Sequence, residues 1–146
     1  MKNKLSYNDV PRDWALCLQD DCPLCETCLR HAAGRLMPAA TTHHAVVLPA
    51  ARQGDDCRLY VKNERVTMAR GMKGIFAGVP SEEVPRLRKS LIGCIGSKSH
   101  YYRYRNGEYL IDPKLQARIS DIFHRICPDL QPRYDNTTEA YYFPEP

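Results

Sequence analysis

Four cysteines fall within twelve residues, Cys17-Leu18-Gln19-Asp20-Asp21-Cys22-Pro23-Leu24-Cys25-Glu26-Thr27-Cys28, and constrain this chain more than any other feature. Turns bring thiolates at such short spacings onto one ion, about 2.3 Å from sulfur if the ion is zinc. Lys2 and Lys4 are followed by no apolar run, so neither a signal peptide nor an anchor is expected, and no later run approaches the ~20 apolar residues of a membrane span. The expected compartment is the cytoplasm, where thiols stay reduced. Seven cysteines, an odd number, then speak for metal or redox chemistry over a disulfide framework.

Zinc is the leading candidate. Structural zinc sites contribute an apparent ~10–16 kcal/mol at neutral pH, more than the net stability of most small domains, which would hold so irregular a segment folded. An iron–sulfur cluster is the alternative, because Cys22, Cys25 and Cys28 repeat the Cys-x2-Cys-x2-Cys opening of bacterial ferredoxins. No Cys-Pro follows at the distance that closes that pattern, and no second cluster motif is present. Cys22-Pro23-Leu24-Cys25 also reads as a redox pair, although the βαβ context of such pairs is absent. Cys57, where a loop meets a candidate strand, is a further donor, and His31, His43 and His44 are possible substitutes. Cys94 and Cys127 occupy apolar helical positions, where cysteine behaves as a small hydrophobe.

At 146 residues and 16.7 kDa the chain has the size of one domain, one that buries roughly 68–70% of its unfolded surface. The expected class is α+β: a small single domain over 1–146, with an irregular cysteine-rich metal lobe at 11–61 and a helical and hairpin portion at 62–146. Short strands are expected at His44–Leu48 and Arg58–Val61, and a helical turn near Cys28–His31. Met68, Met72, Ile75, Phe76 and Val79 recur at helical spacing, against the cost of Gly71, Gly74 and Gly78. A second helix should start near Pro85, turn Leu87, Leu91, Cys94 and Ile95 inward, and stop at Gly96. Tyr101 to Ile111, with Asn106-Gly107 at its centre, predicts a β-hairpin. Asp112-Pro113 then opens a helix whose apolar face is Leu115, Ile119, Ile122, Phe123 and Ile126.

The net charge of +4 is unevenly distributed. Residues 58–105 hold eleven basic and three acidic side chains, a balance of +8. Arg86, Arg88, Lys89, Lys98, Arg103 and Arg105 lie near Tyr101, Tyr102 and Tyr104, combining phosphate-attracting charge with rings able to stack on bases. Nucleic acid is therefore one expected partner. On a hairpin, however, Arg103 and Arg105 share a face with Tyr101, while Tyr102 and Tyr104 share the other. The alternative partner is an acidic protein surface, for which the chain would serve as an interaction adaptor. No nucleophile elbow, His-Glu-x-x-His or phosphate-binding glycine loop is present, so an enzyme is not expected.

Cys17, Cys22-Pro23, Cys28-Leu29-Arg30, Cys57, Met68-Ala69-x-Gly71, Tyr101-Tyr102-Arg103-Tyr104-x-x-Gly107-Glu108 and Gln116 together resemble a family of small proteins from Bacteroidetes-type bacteria, a domain of unknown function. The resemblance spans nearly the whole chain and carries no activity. Cys25 is not a fixed element of that family's pattern, so the resemblance implies Cys17, Cys22, Cys28 and Cys57 as the ligand set.

Overall fold

The computed structural model describes residues 4–145 and has an α+β architecture. It divides into two compact units. The first comprises the described residues up to Arg65 together with those from Tyr141 onward; the second is the continuous stretch Val66–Ala140.

The first unit is mostly irregular chain. Its helix α1 (Leu29–Arg35) turns Leu29 and Ala33 onto Trp14, Leu16 and Leu5, with Tyr7, Val61, Tyr141 and Phe143 closing the core. The Trp14 indole donates to Pro144 O at 2.8 Å and meets the Phe143 ring edge-on at 5.0 Å. A short hairpin joins β1 (Arg52–Gln53) and β2 (Asp56–Cys57), with Arg52 opposite Cys57. Gly54, at φ +61°, supplies the left-handed residue at the first corner of its two-residue turn. The strands expected at His44–Leu48 and Arg58–Val61 do not form. Val46 makes one isolated parallel bridge with Leu16, Pro49–Ala51 is a single 3-10 turn, and Arg58-Leu59 lies in a turn that follows β2.

In the second unit a three-stranded sheet runs in the order β4-β3-β5, from β3 (Arg65–Arg70), β4 (Leu110–Ile111) and β5 (Asn136–Tyr141), with β3 and β4 antiparallel. Helices α2 (Val84–Ile95), α3 (Lys98–Arg105) and α4 (Pro113–Ile126) accompany it. The core gathers Ala69, Met72, Ile75, Leu87, Leu91, Tyr101, Ile111, Ile119, Ile122 and Phe123. Two helices follow their sequence signals. Asp112 caps α4 by accepting from Leu115 N at 2.7 Å, an interaction worth about 1 kcal/mol, with Pro113 in the first turn. Gly96, at φ +105°, ends α2 by donating to Ile92 O.

Two expected elements are replaced. Met68–Val79 is not a helix: its first residues belong to β3, and the chain then turns at Gly71, which has φ +76°. A Cβ on Gly71 would lie 2.6 Å from Asp135 Oδ2, so glycine is required there for space as well as for backbone angle. Tyr101–Ile111 is not a hairpin, because residues up to Arg105 form α3. Ser97 caps that helix by accepting from His100 N at 3.1 Å, and Tyr101 is fully buried within the core. Asn106-Gly107 still produces a left-handed glycine, at φ +80°, but it terminates a helix instead of joining two strands.

Candidate metal centre and basic face

Three pieces of backbone deliver the cysteines. Leu16 is held by Leu16 N to Ala45 O (3.0 Å) and Val47 N to Leu16 O (2.7 Å), and Cys17 N donates to Arg30 O at 3.0 Å. Consecutive tight turns carry the chain from Cys22 to Cys28, with Cys25 N donating to Cys22 O at 3.1 Å and Cys28 N to Cys25 O at 3.4 Å. Cys28 bridges Lys62 and precedes α1, whose first amide donates to Val61 O at 2.7 Å. Cys57 comes from β2, and Arg52 beside it reaches Asp21 Oδ2 at 3.3 Å. Gly34 lets α1 lie against the first of these pieces, since a Cβ there would collide with the Cys17 carbonyl.

These pieces converge. Cys17, Cys22, Cys25, Cys28 and Cys57 all line one cavity of about 20 Å³. Among the described residues all seven cysteines are free thiols, and no group of three or more His, Cys, Asp or Glu side chains is already set to grip an ion. Neutral thiols have no attraction that would draw four sulfurs to one point. Burial pushes the Cys17 thiol up, opposed by a backbone hydrogen bond from Gln19, and Cys28, Cys22 and Cys57 push it further by charge repulsion. The three cysteines that act on Cys17 complete the set implied by the family resemblance. Cys25 differs. Its Sγ turns to Asp20 O at 3.7 Å and to the Glu26 carboxylate at 3.9 Å.

The histidines do not join the cysteines as free donors. His31 lines the same cavity, but its Nε2 is 2.8 Å from Asp20 Oδ1, so the ring anchors the loop between Cys17 and Cys22. His43 and His44 line a separate open groove of about 830 Å³ with Tyr7, Arg12 and Asp13. Cys94 packs against the core of the second unit and Cys127 is buried.

Sequence reasoning missed Arg30 as a site residue. It is 2% exposed and lines the cysteine cavity, with its guanidinium 4.2 Å over the Trp14 ring. Burial lowers its ordinary value, while Cys28, Cys57 and Cys17 act to raise it. A Cys-Leu-Arg triplet alone carries no sign that the arginine would turn inward.

The six basic residues are divided by their contacts. Arg86 pairs with Glu83 at 3.7 Å, and Arg88 stacks 5.2 Å over Phe76. Arg103 donates to Tyr109 Oη at 2.6 Å and lies over that ring. Lys89, Lys98 and Arg105 have no ion pair among the described residues. Because residues 98–105 are helical, Lys98, Tyr102 and Arg105 stand at i, i+4 and i+7 on one face, with Tyr102 40% exposed. Tyr101 lies inward. Burial raises its hydroxyl, Arg88 and Arg105 oppose that rise, and the hydroxyl has no partner in hydrogen-bond geometry. No helix among the described residues is long and apolar enough to cross a membrane.

Compared with known proteins, the chain matches the model of a family of unknown function over residues 1–143. No curated protein and no solved structure matches it.

Proposed function

We propose, for a chain that belongs to this family of unknown function, DUF6078, that Cys17, Cys22, Cys28 and Cys57 hold one structural zinc ion in a nucleic-acid-binding protein. The observation that carries the metal is the shared cavity. Three separate backbone pieces, Leu16–Cys17, the turns from Cys22 to Cys28 and β2, bring the four thiols to its wall. Zinc is preferred to an iron–sulfur cluster because the chain has neither a closing Cys-Pro at the ferredoxin spacing nor a second cluster motif. Four thiolates close the coordination sphere of zinc, so the ion organises the fold and activates no water.

The test is elemental analysis of the native chain and of five serine variants. One zinc per chain is expected, lost in Cys17→Ser, Cys22→Ser, Cys28→Ser and Cys57→Ser and retained in Cys25→Ser. Zero metal, or metal indifferent to all four changes, refutes the site.

The nucleic-acid part draws on the helical face of Lys98, Tyr102 and Arg105. The hairpin expectation set Tyr102 and Tyr104 on the face opposite Arg103 and Arg105; with these residues helical, the exposed Tyr102 ring stands between Lys98 and Arg105, an arrangement suited to gripping phosphate and stacking a base. Retention on single-stranded oligonucleotide should fall steeply with salt, and Tyr102→Ala should weaken it by about 1–3 kcal/mol. Equal retention by an acidic polypeptide, unaffected by Tyr102→Ala, would instead favour the protein-interaction adaptor.

A further inference from the structure

We infer that Arg30 is the charge-balancing residue of the thiolate site, holding the buried positive charge that four metal-bound cysteines require. The inference rests on the zinc reading above and goes beyond it. Arg30 is stripped of water, yet it makes no ion pair with any carboxylate among the described residues. Its guanidinium donates to three carbonyls: Leu59 O at 2.7 Å, Ala15 O at 2.8 Å and Pro144 O at 3.4 Å. Those carbonyls satisfy its donors without neutralising it. A buried, unpaired cation is expensive, and proteins keep one where an opposite charge is present.

The cavity that Arg30 lines supplies that charge once a divalent ion is bound. Four thiolates and one Zn2+ carry a net −2, and the guanidinium reduces it to −1. The placement of the donors is specific to the site. Arg30 follows Cys28 by two residues, Ala15 precedes Cys17 by two, and Leu59 follows Cys57 by two. One side chain thus ties together the backbones of three of the four ligands. Such partners behind metal ligands typically change affinity by about 10–100-fold when removed.

The competing explanation is a neutral clamp, in which Arg30 matters only for the carbonyls it bonds. Charge separates the two, because lysine keeps the charge and loses the planar fork. The experiment is a cobalt(II) titration of the full-length chain and of Arg30→Lys and Arg30→Met, with zinc affinity then measured by chelator competition. The thiolate-to-cobalt absorption band reports four-sulfur ligation independently of affinity. Expected is a band of wild-type shape in all three, affinity lowered about tenfold or more in Arg30→Met, and affinity within about threefold of wild type in Arg30→Lys.

Wild-type affinity in Arg30→Met, or equal losses in both variants, overturns the inference. If Arg30→Met does not fold, Arg30→Lys decides alone: near-wild-type affinity sustains charge balance, and a tenfold loss or failure to fold overturns it. A wild-type chain with no thiolate band fails at the earlier step, the zinc reading itself, and takes this inference with it.

Discussion

Replacing Gly71 with alanine should destabilise the second unit severely. Gly71 sits at φ +76°, a left-handed conformation that costs a residue with a side chain roughly 1–2 kcal/mol. The new Cβ would also lie 2.6 Å from Asp135 Oδ2 and 3.2 Å from two of that residue's carbons. Asp135 cannot simply retreat. Its carboxylate accepts from Lys73 N at 2.9 Å and Gly74 N at 3.2 Å, and its amide donates to Gly71 O at 2.9 Å. Hydrogen bonds to a charged group contribute about 1.5–3 kcal/mol each when buried, and because Asp135 is exposed we count only one such bond as lost. Backbone strain and the lost bond together give about 2.5–5 kcal/mol.

Urea unfolding followed by circular dichroism would measure this, with an unchanged m-value showing that stability alone moved. In an Asp135→Ala background the 2.6 Å collision with the carboxylate and its hydrogen bonds are gone, and only the backbone cost and the 3.2 Å contact with the remaining Cβ survive, so the same substitution should then cost about 1–2 kcal/mol. A loss below about 1 kcal/mol in the native background, or an equal loss in both, would refute the reasoning. The effect should reach the basic face, because Met72 N, next along the chain, donates to Arg105 O at 3.1 Å.

Tyr134 has a buried hydroxyl without a hydrogen-bond partner, so Tyr134→Phe should raise stability by about 1–2 kcal/mol, read as a higher urea midpoint. Burial pushes its phenol from 10.0 up to about 12. Between those values the unfolded chain ionises while the folded chain does not, so this residue's contribution is complete below pH 10.0 and lost as pH rises to about 12. Tyr134→Phe should delay alkaline unfolding, and an unchanged alkaline midpoint would contradict the assignment. Since Cys17 is held protonated by burial and by its neighbouring thiols, zinc binding must displace its proton, and apparent affinity should climb with pH between about 6 and 8; a flat chelator-competition profile would count against thiolate ligation. Gly34→Ala forces α1 away from the Cys17 carbonyl and should cost about 1–3 kcal/mol, with faster loss of zinc to chelator.

What could be read from sequence followed signals that act locally. Helix α4 announces itself through Asp112-Pro113 and an apolar stripe, and α2 through Pro85 and Gly96, because caps and periodicity operate within a few residues. Asn106-Gly107 was ambiguous in kind, since a glycine at positive φ serves a hairpin or a helix end equally. The decision came from Ser97 and from the core's capture of Tyr101, which tertiary packing controls. The apolar spacing from Met68 to Val79 gave way to Gly71 and its distant partner Asp135, a contact across 64 positions of chain. The cysteines were legible as a group, while the inward turn of Arg30 was not, because its partners Ala15, Leu59 and Pro144 are scattered along the sequence.

Gln116 shows how a single polar side chain in the family-like pattern acquires a physical reason. Its amide donates to Ile111 O at 2.8 Å and to Thr67 O at 3.1 Å, joining α4 to two strands of the sheet.

The Trp14–Pro144 hydrogen bond links positions 130 residues apart, and everything in the second unit is synthesised between its two ends. The second unit is continuous and can condense as soon as it leaves the ribosome, whereas the first must wait for the segment that bears Phe143 and Pro144. Until that segment arrives, Trp14 lacks its carbonyl and aromatic neighbours, and Arg30 lacks one of its acceptors. Cys17, Cys22, Cys25, Cys28 and Cys57, all long since translated, would then lie open to any thiophilic ion or oxidant present while the first unit waits to close.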